Sequence, residues 1–355
     1  MTAPRTSGRP VGHLVIGVDT HKAQHVAAAV EPSRGLIATA SFDNTRAGHA
    51  ALAAWAAALG PVAVFGIEGT ASYGKTLTAA LTGTGATVIE VNTYASSNRR
   101  SRGKSDALDA EAAAWAVIDG RATGVPKACN GPVEALRALM VARGGAVKAR
   151  TESGNALKAL LADDLDLAES CAGMNTRATA LRLARLRPRH GADPTANRRI
   201  ALRSIARRWL ALDAEAADLE ADLKARAEAT APALVAAFGI SYVTAATILC
   251  AVGDNPERLG SEAALAKLAG VCPIPAGSGQ TDGRHRLYRG GNRQLNRAIY
   301  TIAICRMHHD KRTRQFVAKR IQQGKSKKEI IRMLKRYIAR EIYRLLQPAT
   351  PTAMT

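Results

Sequence analysis

The chain has 355 residues, of which 47% are hydrophobic and only 4% aromatic, and its 50 Lys and Arg outnumber its 29 Asp and Glu. This hydrophobic fraction excludes a disordered basic tail, and the length suits two or three domains around sizeable cores. The formal net charge of +21 indicates a polyanionic partner, nucleic acid before membrane, because no stretch of sequence reads as a membrane anchor.

The termini and the cysteines point to the cytoplasm. The first residues, "MTAPRTSGRPVGH", include no apolar core of a secretory signal. The five cysteines are scattered and form no C-x-x-C pair, which argues against a structural zinc site and a disulfide framework. We therefore expect a protein of a reducing compartment, with no membrane partner.

Residues 1–130 alternate between strand-like and helix-like segments. The segments "HLVIGVDTHK", "HVAAAVEP" and "GLIATASFDN" predict three strands joined by short links. A helix over about 47–59, the strand "VAVFGIE", a helix near 72–82, the strand "ATVIEVN" and a helix from Ser105 follow. This order predicts an α/β domain with a mixed sheet.

The character of the sequence changes after residue 130. Over 131–235, two long, alanine-rich, charged stretches with helical periodicity flank a basic segment broken by Pro188 and Pro194. They predict a helical, coiled-coil-like arm. Residues 236–347 predict a mainly α-helical C-terminal domain, and 348–355 a tail.

The C-terminal domain has two features suited to nucleic acid. The segment "VTAATILCAVGD" predicts a helix of a short hairpin, which either packs in the core or offers its backbone amides to a DNA phosphate. Residues 284–345 contain about nineteen Lys or Arg against three acids. An imbalance this one-sided favours a surface that follows a nucleic-acid backbone.

Four acids of the first domain stand out by position. Asp19 closes the strand "LVIGVD", Glu68 closes "VAVFGIE", and Asp106 and Asp109 share one helix face behind the N-cap Ser105. Singly, each has a structural explanation: a favourable helix dipole, a solvated face or a loop at a strand end. Together, carboxylates that converge from different elements predict a site for Mg²⁺ or Mn²⁺ in phosphoryl transfer.

A serine stands between two glycines in "PIPAGSGQTDGRHR", residues 273–286. Local rules favour a turn, because glycine and serine are common in loops. The alternative is that Ser278 is a nucleophile that its small neighbours leave accessible to a DNA backbone.

These motifs resemble one family. "IGVDTHK", "GIEGTASYG" and "RGKSDALDAEAAA" look like the signature blocks of the RuvC-like domain of the DEDD, or IS110, family of insertion-sequence transposases. "GISYVTAATILCAVGD", "LAGVCPIPAGSG" and "GGNRQLNRAIYTIA" resemble the transposase-twenty domain that follows it in this family. The resemblance covers both ends of the chain in the family's order, and leaves the middle arm weakly patterned.

The resemblance implies a role for each of these positions. In a ribonuclease-H-like fold, Asp19, Glu68, Asp106 and Asp109 would bind divalent metal, and Ser278 would be the nucleophile. Relatives often have glutamine before that serine, whereas this chain has Gly277. Five arginines are expected to meet nucleic acid: Arg284, Arg286, Arg289, Arg293 and Arg297.

The family also implies an activity and partners. Its members are bacterial recombinases that cut and rejoin donor and target DNA through a serine–phosphate bond, guided by a structured bridge RNA. They act as homo-oligomers, dimers or tetramers, in which the acids of one protomer meet the serine of another, and we expect them at the nucleoid in the cytoplasm.

Two other functions fit the same residues. A RuvC-like, junction-resolving nuclease would use metal-activated water and need only the four acids, with Ser278 in a turn. A decayed transposase would be a non-catalytic, basic nucleic-acid-binding protein, for which neither the acids nor the serine is required.

Overall fold

The computed structural model describes residues 12–92, 105–189, 191, 193–275, 277, 285–288 and 290–347. The chain divides into two compact units, Met1–Cys129 with Gly253–Arg258, and Asn130–Val252 with Leu259–Thr355. The predicted boundary between the arm and the C-terminal domain falls inside the second unit and stays a prediction.

The first unit contains a five-stranded mixed sheet in the order β3-β2-β1-β4-β5. Short links make β1, β2 and β3 antiparallel, whereas β4 and β5 follow helical connections and run parallel to β1. This confirms the predicted mixed α/β domain. The strands are β1 Leu14–Thr20, β2 Gln24–Glu31, β3 Gly35–Asp43, β4 Val62–Glu68 and β5 Val88–Val91.

Among the described residues of this unit, three helices pack on the sheet: α1 Arg46–Leu59, α2 Lys75–Gly83 and α3 Asp106–Ile118. Helix α2 begins three residues later than predicted. A turn precedes it, in which Ser72 N and Gly74 N donate to Gly69 O, with Gly69 at φ +71°.

The sheet is buried on both faces because side chains alternate along β1. Leu14, Ile16 and Val18 pack with Leu52 of α1 and Leu77 of α2 in one core cluster. Val15, on the opposite face, belongs to a second cluster with the alanines of α3. The face that carries Val15 therefore also carries the odd-numbered residues 17 and 19.

Two long helices dominate the start of the second unit: α4 Pro132–Leu161 and α7 Pro194–Thr230. They pack along each other, and Arg150 Nη1 donates to Asp213 Oδ1 at 2.7 Å between them. Helix α7 starts at Pro194, earlier than the sequence suggested, because Asp193 accepts two backbone N–H groups as its N-cap. Two short helices lie between them, α5 Leu165–Ser170 and α6 Thr176–Ala184.

The rest of the second unit is mainly helical and shares one core, which includes Ile248, Leu265, Ile299 and Ile338. All five cysteines are free thiols. None of the helices in the described ranges has the length and apolarity to cross a membrane. The remaining elements are α8 Pro232–Ala236, α9 Tyr242–Val252, α10 Glu262–Leu268, β6 Pro273–Pro275, β7 His285–Leu287, α11 Arg293–His309, α12 Lys311–Gln322 and α13 Lys327–Leu346.

Candidate functional site

Strands β1 and β4 repeat one pattern, Val-x-Gly-x-acid, in "VIGVD" (15–19) and "VFGIE" (64–68). The strands are parallel neighbours, and the pattern is in register, with Gly17 opposite Gly66. The β1–β4 pairing ends with Val18 opposite Ile67, so the next residues of the two strands, Asp19 and Glu68, lie beside each other. The hydroxyl of Thr20 ties the two strand ends together by donating to Glu68 O at 2.8 Å.

The paired glycines form the surface on which α3 lies. A Cβ atom on Gly17 would be 2.0 Å from Ala110 O and 2.4 Å from Ala114 N, and one on Gly66 would be 2.6 Å from a Val117 methyl. Only glycine permits so close an approach of helix to sheet. The alanines of α3 complete the contact, and the helix start is held at the edge where β1 and β4 end.

Helix α3 brings the other two acids to that edge. Ser105 is its N-cap and accepts Leu108 N at 3.3 Å, as the sequence predicted. Asp106 and Asp109 both lie in the first turn, where the helix dipole favours negative charge. Asp106 is exposed, whereas Asp109 is half-buried.

A histidine that the sequence reasoning did not single out joins the strand end to the helix. His21 Nε2 lies 3.2 Å from Asp19 Oδ2 and 3.4 Å from Asp106 Oδ2. Its side chain is about half exposed, so the imidazole faces solvent while it bridges the two carboxylates. The available signal was "DTH" in the first motif, which puts a second metal-ligating side chain two residues after Asp19.

The pKa of Asp19 responds to burial, to His21 and to the other three acids. Burial raises the pKa of the Asp19 carboxyl, since desolvation disfavours its charge. His21 opposes this shift in the pKa of Asp19, and the charges of Glu68, Asp109 and Asp106 add to it. A buried carboxylate among three others is the arrangement that a bound cation relieves.

The donor atoms fit a divalent cation. Ligand atoms of Asp19, His21 and Asp106 all lie within 4.8 Å of one another. Carboxylate oxygens suit Mg²⁺ and Mn²⁺, and an imidazole beside them is more usual for transition metals than for Mg²⁺. The arrangement can therefore hold a metal between the sheet edge and the first turn of α3.

A buried histidine pair lies under the loop that carries His21. His25 is fully buried on β2 and stacks on His49, with ring centroids 5.6 Å apart. His49 Nε2 is 3.0 Å from Asn44 Oδ1, and Asn44 Nδ2 donates to Lys22 O at 3.2 Å. Burial, and for His25 also the neighbouring His49, lowers the pKa of both rings, which favours neutral imidazoles.

Only part of the predicted C-terminal site lies within the described residues. Ser278, Arg284 and Arg289 lie outside the described residues. Arg286 is exposed on β7, and Arg293 and Arg297 are exposed on α11. The structure thus places the four acids at the adjoining ends of β1, β4 and α3, and leaves the roles of the acids, the serine and the arginines as predictions.

The start of α11 is fixed by a buried network that the sequence did not reveal. Lys335 Nζ donates to Asn296 Oδ1 at 2.5 Å, and Asn296 Nδ2 donates to Ala269 O at 2.6 Å. Gly291 lies so close to Gly270 that a Cβ atom on Gly291 would be 2.2 Å from Gly270 N. These contacts hold the chain on either side of β6 and β7.

Comparison with known proteins gives a consistent class. A transposase family model of the DEDD type matches residues 16–163, and the model described as "Transposase IS116/IS110/IS902 family" matches residues 231–318. Both are transposase models, and they match in the order that the sequence motifs predicted. The chain therefore belongs to the IS110 family of insertion-sequence transposases.

Two curated relatives are similar over part of their length. The "Insertion element IS110 uncharacterized 43.6 kDa protein" of Streptomyces coelicolor is 31% identical over 153 residues, which are 42% of this chain and 38% of that protein. The "Insertion element IS900 uncharacterized 42 kDa protein" of Mycobacterium paratuberculosis is 27% identical over 157 residues, 42% of this chain and 39% of the relative. The matched segments span about two fifths of these relatives.

Proposed function

We propose that this protein cuts and rejoins DNA strands at the ends of an insertion element, with divalent metal held by Asp19, Glu68, Asp106 and Asp109. The observation that supports this proposal is the position of the four acids, at the ends of two parallel neighbouring strands and in the first turn of the helix packed on them. Sites for metal-assisted phosphoryl transfer need such hard ligands from separate elements.

We further propose that the first unit is a RuvC-like domain of the ribonuclease-H type. Its strand order, with three antiparallel strands followed by two parallel ones, and its acids at the ends of β1 and β4 support this fold. Likeness of fold alone would not indicate the function, and the set of four carboxylates is what supports the proposal.

The metal would polarise the phosphoryl oxygens and lower the pKa of an attacking hydroxyl. The chain's own residues prepare the position. Gly17 and Gly66 fix the distance of α3 from the sheet, and Thr20 holds the two strand ends in line. His21 Nε2 lies between the carboxylates of Asp19 and Asp106 and links the strand end to the helix.

In the proposed strand cleavage, Ser278 is the nucleophile. Its Oγ forms a bond to a DNA phosphorus, the bond from that phosphorus to a deoxyribose oxygen breaks, and the proton lost by the serine is balanced by one gained on the released hydroxyl. The reverse attack by a second deoxyribose hydroxyl rejoins the strands and restores the serine. The phosphodiester energy is kept in the phosphoserine, so no ATP is required.

The remaining partners belong to the same proposal. The net charge of +21 supports binding to two polyanions, DNA and a structured guide RNA. We propose a homo-oligomer in which several copies act on the two DNA partners together.

Three substitutions test the proposal: Asp19→Asn, Glu68→Gln and Ser278→Ala. The protein is incubated with element-end DNA, its co-purified RNA and Mg²⁺ or Mn²⁺, and cut strands and protein–DNA adducts are separated on denaturing gels. We expect the two acid variants to lose cutting and the serine variant to lose both cutting and adduct. Glu111→Gln is the matched control, since Glu111 lies on α3 but bonds to Trp115.

The outcomes separate the competing functions. Cutting that survives Ser278→Ala but not Asp19→Asn would replace the serine mechanism with hydrolysis by metal-activated water. Full recombination by Asp19→Asn and Glu68→Gln would overturn the metal site. Sequencing of the co-purified RNA tests guidance, and an absence of any specific RNA would remove that part.

A further inference from the structure

The second unit contains a groove distant in sequence from the four acids. It lies among α11, α12, α13 and the turn after α8, and its volume is about 600 Å³. That volume falls in the range of small-molecule and nucleotide sites. We call it the aromatic groove and define it by Phe238, Arg306, Arg312, Phe316, Tyr337 and Glu341.

Two of its aromatic rings are exposed. Phe238 and Tyr337 are 56% and 47% exposed, and both line the same groove. Tyr337 is held in place by Phe316, edge to face, with centroids 5.8 Å apart and the planes at 89°. Tyr337 therefore offers a flat apolar surface in a fixed orientation, and Phe238 adds a second exposed ring.

A guanidinium plane forms another flat surface. Arg306 Nη1 and Nη2 donate to the two carboxylate oxygens of Glu341 at 2.6 and 2.9 Å, and Arg306 Nε donates to Phe238 O at 2.9 Å. The three bonds fix the plane of Arg306 and also hold the backbone of Phe238. Gly239, at φ +80°, allows the chain to turn closely over Arg306.

The charge around the groove is strongly positive. Helix α12 contains Lys311, Arg312, Arg314, Lys319 and Arg320 and no acid. Arg312 lines the groove and is exposed, while Arg320 lies over the ring of Phe316 at 5.0 Å. A phosphate at the groove would meet cations. Among the described residues that line the groove, the acids are Glu341, which pairs with Arg306, and Asp310, which caps α12.

We propose that the aromatic groove binds an unpaired nucleotide of single-stranded DNA, with its base stacked on Phe238 and Tyr337 and its phosphate beside Arg312. Exposed rings, a fixed guanidinium plane and surrounding cations are the combination by which proteins hold single strands without reading sequence. A duplex does not fit this role, because its bases are stacked on each other. The inference rests on the proposed function, because it takes DNA as the partner. It adds a binding site for unpaired DNA strands.

The test measures binding alone, so it needs neither metal nor Ser278. Fluorescein-labelled 15-nucleotide oligo(dT), a 15-base-pair duplex and 15-nucleotide oligo(U) are titrated with the full chain in EDTA, and anisotropy gives the Kd. The variants are Phe238→Ala and Tyr337→Ala, with Phe238→Tyr as a conservative variant. Tyr300→Ala is the matched control, because Tyr300 is 46% exposed on α11 but does not line the groove.

We expect each alanine variant to weaken binding of oligo(dT) roughly tenfold, while duplex binding changes less than twofold. Phe238→Tyr should bind oligo(dT) as the parent does, and Tyr300→Ala should leave both ligands unchanged. Unfolding midpoints of all variants confirm that the helical unit is intact.

Three results would overturn the proposal: equal losses on duplex and oligo(dT), unchanged binding of oligo(dT) by both alanine variants, or losses confined to oligo(U), which would make RNA the occupant. Asp19→Asn protein, inactive in the proposed reaction, should bind oligo(dT) normally. Failure of the groove proposal can therefore be distinguished from failure of the metal-site proposal.

Discussion

The two units place their polar groups by opposite means. In the first unit, the carboxylates are positioned by backbone that lacks side chains, because Gly17 and Gly66 let α3 lie directly on the sheet. In the second unit, the aromatic groove is positioned by side chains, through the pair of Arg306 with Glu341. A site that crowds like charges needs a rigid scaffold, whereas a site for a variable base needs only fixed surfaces.

The largest effect should come from a methyl group at the contact between helix and sheet. Gly17→Ala puts Cβ within 2.4 Å of two α3 backbone atoms, so the helix must move. We expect a loss of about 3 kcal/mol in the free energy of unfolding, at the upper end for overpacking. Urea denaturation measures it.

The control for that change is Gly83→Ala, since Gly83 has no neighbour within 4 Å of the added Cβ. It ends α2, and we expect stability to be unchanged or raised by up to about 1 kcal/mol. A Gly17→Ala protein as stable as Gly83→Ala would show that α3 is not held by the glycine surface.

The second unit should be less sensitive to a single change. Arg306→Met removes the bonds to Glu341 and to Phe238 O, and we expect a loss of about 2 kcal/mol because charged hydrogen bonds are lost from a side chain only 14% exposed. Arg312→Met, on the exposed side of the same groove, should change stability by less than about 0.5 kcal/mol. Equal effects in thermal or urea unfolding would show that Arg306 does not organise the groove.

Removal of one acid should stabilise the first unit when no metal is present. Asp19→Asn relieves a buried charge among three other carboxylates, and we expect a gain of about 1 kcal/mol in EDTA, a size common for relief at functional sites. Mg²⁺ or Mn²⁺ should raise the Tm of the parent and of Glu111→Gln, but not that of Asp19→Asn. If Asp19→Asn were less stable than the parent in EDTA, the carboxylates would not destabilise one another in the metal-free protein.

The smallest effect concerns pH. Because the folded-state pKa values of His25 and His49 lie below the ordinary 6.5, their contribution to stability is full above about pH 6.5 and falls as the pH drops through that value. In urea denaturation, the free energy of unfolding should be lower at pH 5.5 than at pH 7.5, and His49→Gln should reduce this difference. Exposed His308→Gln should keep the loss of the parent, and a loss unchanged by His49→Gln would remove the buried pair as its source.

The sequence predicted the first unit well and the second unit less well. The strands and the N-cap Ser105 followed from alternation and capping chemistry, which are local, so the four acids could be located before their neighbours were known. The contact of His21 with Asp106 could not be predicted from the sequence, because it depends on how closely α3 approaches β1.

The second unit is harder because its contacts join distant residues. The bond of Lys335 to Asn296 spans 39 positions, and the pairing of Arg306 with Glu341 spans 35. In the sequence, Lys335 and Arg306 cannot be distinguished from the many other basic residues of 284–345. The aromatic groove was therefore visible only in three dimensions.

The glycine surface under α3 has a mechanical consequence for the four acids. Asp19 and Glu68 belong to the sheet and Asp106 and Asp109 to the helix, so the spacing of the two pairs depends on how closely α3 packs on the glycines. A larger side chain at either glycine would push the helix away from the sheet and thereby separate the two pairs of acids.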